Sequence, residues 1–458
     1  MKQALISNLL TGLFFASICG AEFQVNTHTT YDQRNAAIAM DPAGNFVVVW
    51  GSYLQDGSSN GVFGQLFDPN CGAAGGEFQI NTTAAGNQTE PAVATDGAAG
   101  FVITWQGPGV SGGADEDIFA QRLDPNGLPV GGEFRVNGYT LDAQLYPSGA
   151  ASDDGTLIIV WESANLPQEG QKAICGQLYD SNAVESGTEF VINEEPSVCR
   201  YPDVAADANG NFAVVWMQDK SSNSILARLY YADGTPRTDT FEVSTIRFNS
   251  VTRPSIAMDA AGYFVATWDG NPDLAGQDDI HARLFDPNGT PLGGQLLVNT
   301  TFTGAQQYPQ VAMNDLREFV VVWESRTDPN DANERDIFGQ RFDSLGQPLG
   351  DEFQLNTFVE SDQRYPAAAI REDGHFVAVW QSDGQDGSRY GIFGDTGPKV
   401  GSADFNADGF VDFQDYRILA DEWLENQNPL TADVIDDNTI NEQDLAEFCR
   451  QWLTTRDQ

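Results

Sequence analysis

The chain is poor in positive charge, in histidine and in cysteine. Its 458 residues hold 23 Lys plus Arg against 66 Asp plus Glu, a formal net charge of −43 at pH 7. Phosphate backbones repel such a surface, which argues against nucleic-acid binding through a basic patch, and an anionic membrane is disfavoured on the same ground. Lysine occurs only at Lys2, Lys172, Lys220 and Lys399. The three histidines are His28, His281 and His375, and no GxSxG elbow or HExxH motif occurs, so serine-hydrolase and zinc-protease chemistry lack their residues. The five cysteines show no CxxC spacing, so a zinc site is not indicated. Cys175 and Cys199 are the pair closest in sequence; a disulfide and two separate thiols both remain open. The apolar fraction, 41%, is enough for a packed core.

Lys2 is followed by a short, broken apolar run from Ala4 to Cys19 and then by the small residues Gly20 and Ala21. A charged start, an apolar centre and a small-residue end describe a secretory signal peptide. The run is too short to span a bilayer, and no other segment qualifies. Residues 1–21 are therefore expected to be removed, with the chain secreted or held at the cell surface.

Self-similarity dominates residues 22–397. A short strand ending in Trp recurs at Trp50, Trp105, Trp161, Trp216, Trp268, Trp323 and Trp380, at intervals of 52 to 57 residues. Each interval carries four β-like runs rich in Val, Ile, Phe and Thr and bounded by Gly, Pro, Asn and Asp. In the second, these are Pro91–Asp96 (a), Phe101–Trp105 (b), Asp117–Asp124 (c) and Glu133–Asn137 (d). The c–d turn often reads Asp-Pro-Asn-Gly, as at Asp124 to Gly127, which suits a type I turn. Four strands and tight turns at this period resemble a β-propeller blade. The kelch, WD40 and sialidase Asp-box signatures are absent.

The chain ends predict closure. Glu22-Phe-Gln-Val-Asn26 reads as a strand d with no a, b or c before it, and the seventh repeat has a, b and c but no d after it. The amino-terminal strand should complete the last blade and remove two exposed sheet edges. The expectation is an all-β, seven-bladed propeller over residues 22–397.

In a propeller the a–b and c–d turns share one face, and the b–c and d–a loops share the other. Here the b–c loops vary in length and are acidic. The d–a loops end in Tyr-Pro four times, at Tyr146, Tyr201, Tyr308 and Tyr365. Strand a lines the channel, so these tyrosines should lie near its mouth on the variable face, as candidate ligand-binding residues for a sugar; the alternative is that Tyr-Pro only seats each blade. His281 takes the place of Phe63, Phe119 and Phe338 in strand c, which reads as a core substitution. Among 66 carboxylates the sequence singles out no acid/base pair.

After a linker at 398–403, residues 404–458 carry a sharper motif. Asp404, Asn406 and Asp408 stand at positions 1, 3 and 5 of a loop, with Gly409 at 6, Phe410 offering its carbonyl at 7, Asp412 at 9 and Asp415 at 12. Alternating oxygens on a tight loop are what a hard cation such as calcium needs. The block recurs 29 residues later with Asp433, Asp437, Thr439, Asn441 and Asp444, where Ile435 and Asn438 replace a ligand and the glycine. This pairing resembles a type I dockerin, a small α-helical EF-hand-like module. The resemblance implies two bound calcium ions and docking to a cohesin-like protein or other cell-surface component. Positions 10 and 11, where such modules read their partner, are Phe413-Gln414 and Glu442-Gln443, so partner identity stays open. The leading expectation is a non-catalytic exported protein, a propeller for recognition or scaffolding attached through a calcium module in a polysaccharide-related assembly. The alternatives are a carbohydrate-active enzyme, a glycoside hydrolase or polysaccharide lyase acting on the propeller face, and a purely structural surface protein.

Overall fold

A computed structural model describes residues 22–397 except 96–99, 110–114, 165–171, 195–196, 220–222, 246–252, 272–276 and 327–334. The expected signal segment, linker and calcium module lie outside the described residues. Within them the chain forms seven four-stranded antiparallel sheets and no helix.

The Val-, Ile- and Phe-rich runs make the strands. Blade 1 is Gln33–Met40, Phe46–Tyr53, Asn60–Phe67 and Phe78–Gln79. Blade 2 is Thr89–Thr95, Phe101–Pro108, Glu116–Leu123 and Pro129–Arg135. Blades 3 to 6 begin with Gln144–Ala151, Val198–Ala206, Ser255–Met258 and Gln306–Met313 and repeat the meander. Blade 7 holds Gln363–Ile370, Phe376–Asp383 and Tyr390–Asp395, and its outer strand is Phe23–Gln24 from the amino terminus. Phe23 pairs with Gly394 and Gln24 with Phe393, so the expected closure is present. The first strands of neighbouring blades touch all the way round, and the ring closes between Gln33–Met40 and Gln363–Ile370.

The core lies between blades. Strand b is buried on both faces, which is why it reads as a continuous apolar run rather than an alternating one. All seven repeat Trp side chains are fully buried. In blades 3, 6 and 7 the indole N–H donates to a buried glutamine at the start of strand a: Trp161 to Gln144 and Trp323 to Gln306 at 2.9 Å, and Trp380 to Gln363 at 3.1 Å. In blade 4 the same place is Cys199, and Trp216 has no hydrogen-bond partner there. Cys175 and Cys199 are buried and not joined to each other. His281 is buried opposite Trp268 in strand c of blade 5, with its Nε2 3.2 Å from the Gly270 carbonyl oxygen.

Three side-chain devices repeat with the blade. The Asn ending strand d accepts from a strand c N–H: Val62 N to Asn81 at 2.8 Å, Ile118 N to Asn137, Ile280 N to Asn299 and Ile337 N to Asn356 at 2.7 Å. A Glu on strand d also reaches back to the preceding blade, as Glu133 does to the Thr82 backbone N–H at 2.6 Å and Glu352 to that of Thr300 at 2.6 Å. In the c–d turn, the Asp124 carboxylate accepts from the Asn126 and Leu128 N–H groups, and Gly127 takes φ 78°, a conformation that a Cβ would strain.

Candidate functional site at the channel mouth

Strand a of six blades begins with a bulge. Asn35, Glu90, Tyr146, Tyr201, Tyr308 and Tyr365 all lie in the left-handed region, with φ between 50° and 55°. The pairing register skips across each of them, for example between Leu145 and Ser148 and between Arg364 and Ala367. Proline follows in every case but Asn35, and its missing N–H is not needed where the ladder is interrupted. In three blades the freed N–H of the bulge residue is caught by the side chain that follows the Trp of the preceding blade. Tyr146 N donates to Gln106 Oε1 at 3.0 Å, Asn35 N to Gln381 Oε1 at 3.1 Å and Tyr365 N to Glu324 Oε1 at 3.3 Å. At Asn35, Tyr146 and Tyr365 the bulge therefore ties one blade to the next. It does not need tyrosine, since Asn35 and Glu90 make it equally well.

The side chains at these bulges gather at one mouth of the central channel. A cavity of about 200 Å³ is lined by the six bulge residues and by Arg253 at the equivalent position of blade 5. The opposite mouth, about 260 Å³, is lined instead by small apolar groups such as Ala39, Ala94, Ala205 and Ala312. The polar mouth is at the entry to strand a, hence on the side of the b–c and d–a loops.

Around the ring the order is Asn35, Glu90, Tyr146, Tyr201, Arg253, Tyr308, Tyr365. Tyr146 and Tyr201 meet edge-on with centroids 4.8 Å apart, and Tyr308 and Tyr365 do so at 4.9 Å. Arg253 lies over the rings of Tyr146 at 4.8 Å and Tyr201 at 5.0 Å, and its Nη1 is 3.2 Å from Glu90 Oε2. Asn35 Nδ2 donates to the other Glu90 oxygen at 2.9 Å. Burial pushes the Tyr146 and Tyr308 phenols up to about 12, each helped by its tyrosine neighbour, so both stay protonated at neutral pH. Burial works against the Arg253 charge, but Glu90 and the phenols outweigh it and hold its pKa above the usual value.

Deeper in the same cavity stands Asp203. Its carboxylate accepts from Ser148 Oγ at 2.6 Å, Ile256 N at 2.9 Å and Val204 N at 3.0 Å, bridging three neighbouring blades. It is surrounded by protein yet keeps part of its surface open to the channel, and burial raises its pKa despite those donors. Behind Tyr365, Glu324 is buried against Arg335 at 3.3 Å and Arg364 at 3.4 Å, and Arg364 also lies 4.8 Å from the Tyr365 ring centre.

The four tyrosines predicted from the sequence are thus brought together. Arg253, Glu90, Asn35 and Asp203 escaped that reading. The signal was present: every bulge residue, tyrosine or not, stands fifteen residues before its blade's Trp. The calcium-loop residues lie outside the described residues, as do Asp273, Asp328, Asp331 and Glu334 of the acidic b–c loops.

No protein-family model and no curated protein matches the chain. Solved structures do resemble it. An ulvan lyase of polysaccharide lyase family 25, bound to -[GlcA(1-4)Rha3S]-, aligns with TM-score 0.50 and 11% identity over 82% of this chain and 94% of its own. A Hadza microbial sialidase aligns with TM-score 0.43 and 10% identity over 73% of each chain. The GH93 α-L-arabinofuranosidase of Fusarium graminearum aligns with TM-score 0.40 and 12% identity over 54% of this chain and 80% of its own. At such identities the likeness to the lyase is one of fold.

Proposed function

We propose that this chain is an exported carbohydrate-active propeller that takes a polysaccharide segment at the tyrosine-lined channel mouth. The observation that carries the reading is the ring itself. A bulge that any of three residue types can make carries tyrosine in four blades, all converging on one cavity with a single arginine. Tyrosine faces stack on the C–H faces of sugar rings, and protonated phenols donate to hydroxyls. The resemblance in fold to a polysaccharide lyase favours the catalytic version over the non-catalytic recognition module that the sequence first suggested. On that version Tyr146, Tyr201 and Asp203 are the groups offered for proton transfer. A phenol held at about 12 serves as a proton donor to a leaving oxygen rather than as a resting base.

The tail is proposed to be a dockerin-like attachment module. Asp404, Asn406, Asp408, Asp412 and Asp415, with the Phe410 carbonyl, would hold one calcium ion; Asp433, Asp437, Thr439, Asn441 and Asp444 would form a weaker second site. Its partner would be a cohesin-like protein or other cell-surface component.

The test is incubation of the full chain with a polysaccharide panel, following new reducing ends and the ultraviolet absorbance of an unsaturated sugar. Both signals together identify a lyase, and reducing ends alone a hydrolase. Binding without either signal supports the recognition module. Neither binding nor turnover across the panel rejects the carbohydrate reading.

A further inference from the structure

Arg253 and Glu90 come from blades 5 and 2, yet their side chains meet across the channel mouth at 3.2 Å. The contact is unlike the other ion pairs of the ring. Arg335 binds Asp362 at 3.1 Å from behind the tyrosines, where it holds blade 6 to blade 7. The Arg253–Glu90 pair lies over the cavity itself and remains about a third and a quarter exposed, respectively. Both partners keep a water-facing edge on the cavity, so an entering anion can reach the pair. The Glu90 carboxylate is received as an outside carboxylate would be, with one oxygen on a guanidinium and the other on the Asn35 amide. The guanidinium that receives it lies against two tyrosine rings, and the Tyr308–Tyr365 pair occupies the adjoining stretch of the rim. Glu90 thus occupies a planar-anion cradle flanked by sugar-stacking surfaces.

We infer that the mouth selects a sugar residue bearing a carboxylate, and that the sugar's carboxylate takes the place of Glu90 on Arg253 and Asn35. This rests on the carbohydrate reading above and narrows it to uronate-containing chains. A carboxylate, rather than a sulfate ester, is favoured because the group now in the cradle is itself a carboxylate, bound through both oxygens. In a chain of net charge −43, anionic sugars are repelled at long range, so selection must come from this local guanidinium. Glu90 acts as an internal competitor, and the apparent affinity is lowered by the fraction of time it holds the cradle.

The experiment is calorimetric titration of the full chain with tetramers of galacturonate, mannuronate and glucuronate, each beside its methyl ester, and with a sulfated carrageenan tetramer. At least one free acid should bind about tenfold or more tightly than its ester. Glu90→Gln, which keeps the shape and removes the charge, should tighten that acid about tenfold and leave the ester unchanged. Arg253→Gln should erase the difference between acid and ester. Thermal melts establish that both variants fold, and Glu90→Gln alone suffices if Arg253→Gln does not. Equal binding of acid and ester, an unchanged ratio in Arg253→Gln, or no tightening in Glu90→Gln overturns the inference. So does a sulfated tetramer that binds as tightly as the best uronate. If only the esters bind, the inference fails while the carbohydrate reading stands; if no sugar binds either variant or the parent, both fall.

Discussion

The Asn26 side-chain oxygen accepts a hydrogen bond from the Ile392 backbone N–H at 2.6 Å, across 366 positions of chain. Asn299 does the same for Ile280 at 2.7 Å across only 19. The two contacts are equivalent in the ring, and only the point at which the chain begins makes one of them remote. Glu22 completes the likeness by accepting from the Thr357 N–H of blade 6 at 2.6 Å, as Glu133 does from Thr82.

Closure should therefore be measurable residue by residue. Asn26→Ala leaves the buried Ile392 N–H without its partner and should cost about 1–3 kcal/mol. Asn299→Ala should cost a similar amount. Deleting residues 22–27 exposes the edge of Tyr390–Asp395 and should bring aggregation or a sharp drop in melting temperature. Equal stability of the deletion and the parent in urea titrations would show that the ring does not depend on its amino-terminal strand.

Between blades 2 and 3, Trp161 is fully buried and its indole N–H is held by Gln144. Trp161→Ala should cost about 3–5 kcal/mol. Gln144→Leu should cost about 1–3 kcal/mol by stranding that N–H. Because the two residues share one hydrogen bond, the double variant should be less destabilised than the sum, which denaturant unfolding of all four chains would reveal.

Replacing ring tyrosines should separate seating from recognition. Tyr201→Ala keeps the bulge and its backbone contacts, so it should lower stability by no more than about 1–2 kcal/mol while abolishing sugar binding. Gln106→Leu removes the acceptor of the Tyr146 N–H and should cost about 1–3 kcal/mol. A collapse of the fold in Tyr201→Ala, seen by circular dichroism, would mean that the tyrosines are there for packing.

Glu324 should give the stability curve a pH dependence. Burial pushes its carboxyl from 4.5 up to about 7, against the downward pull of Arg364, the Tyr365 N–H and Arg335. The folded protein then holds a proton, between about pH 4.5 and 7, that the unfolded chain has released. This contribution is complete below the unfolded value, falls as pH rises through the window and is gone above it, a change of up to roughly 3 kcal/mol. Glu324→Gln has no such proton, so the stability of the parent relative to this variant should decline from pH 5 to pH 8. A difference that stays flat across that range in urea titrations would contradict the assignment.

Calcium should act on the tail alone. Isothermal titration of the full chain should detect binding that Asp404→Ala with Asp408→Ala largely removes, with a smaller loss for Asp433→Ala because Ile435 already weakens its loop. The propeller's melting transition should be the same with calcium and with chelator.

Much of this molecule is legible in one dimension. The seven Trp-ended runs, the turn residues and the orphan strand at Glu22–Asn26 determine blade number, strand order and closure, because each follows from local pattern: continuous apolar runs for strands buried on both faces, and Gly or Asp where a turn needs them. The tyrosines could be found because they recur with the blade. Arg253 and Glu90 could not be paired in that way. They stand 163 residues apart, share only an offset from their tryptophans, and meet because a closed ring turns seven equivalent positions inward on one small mouth. Asp203 was hidden for a related reason, since its partners Ser148 and Ile256 come from the blades on either side. Periodicity along the chain is enough to build each blade, but which side chains face one another across the channel is decided by the curvature of the assembled ring.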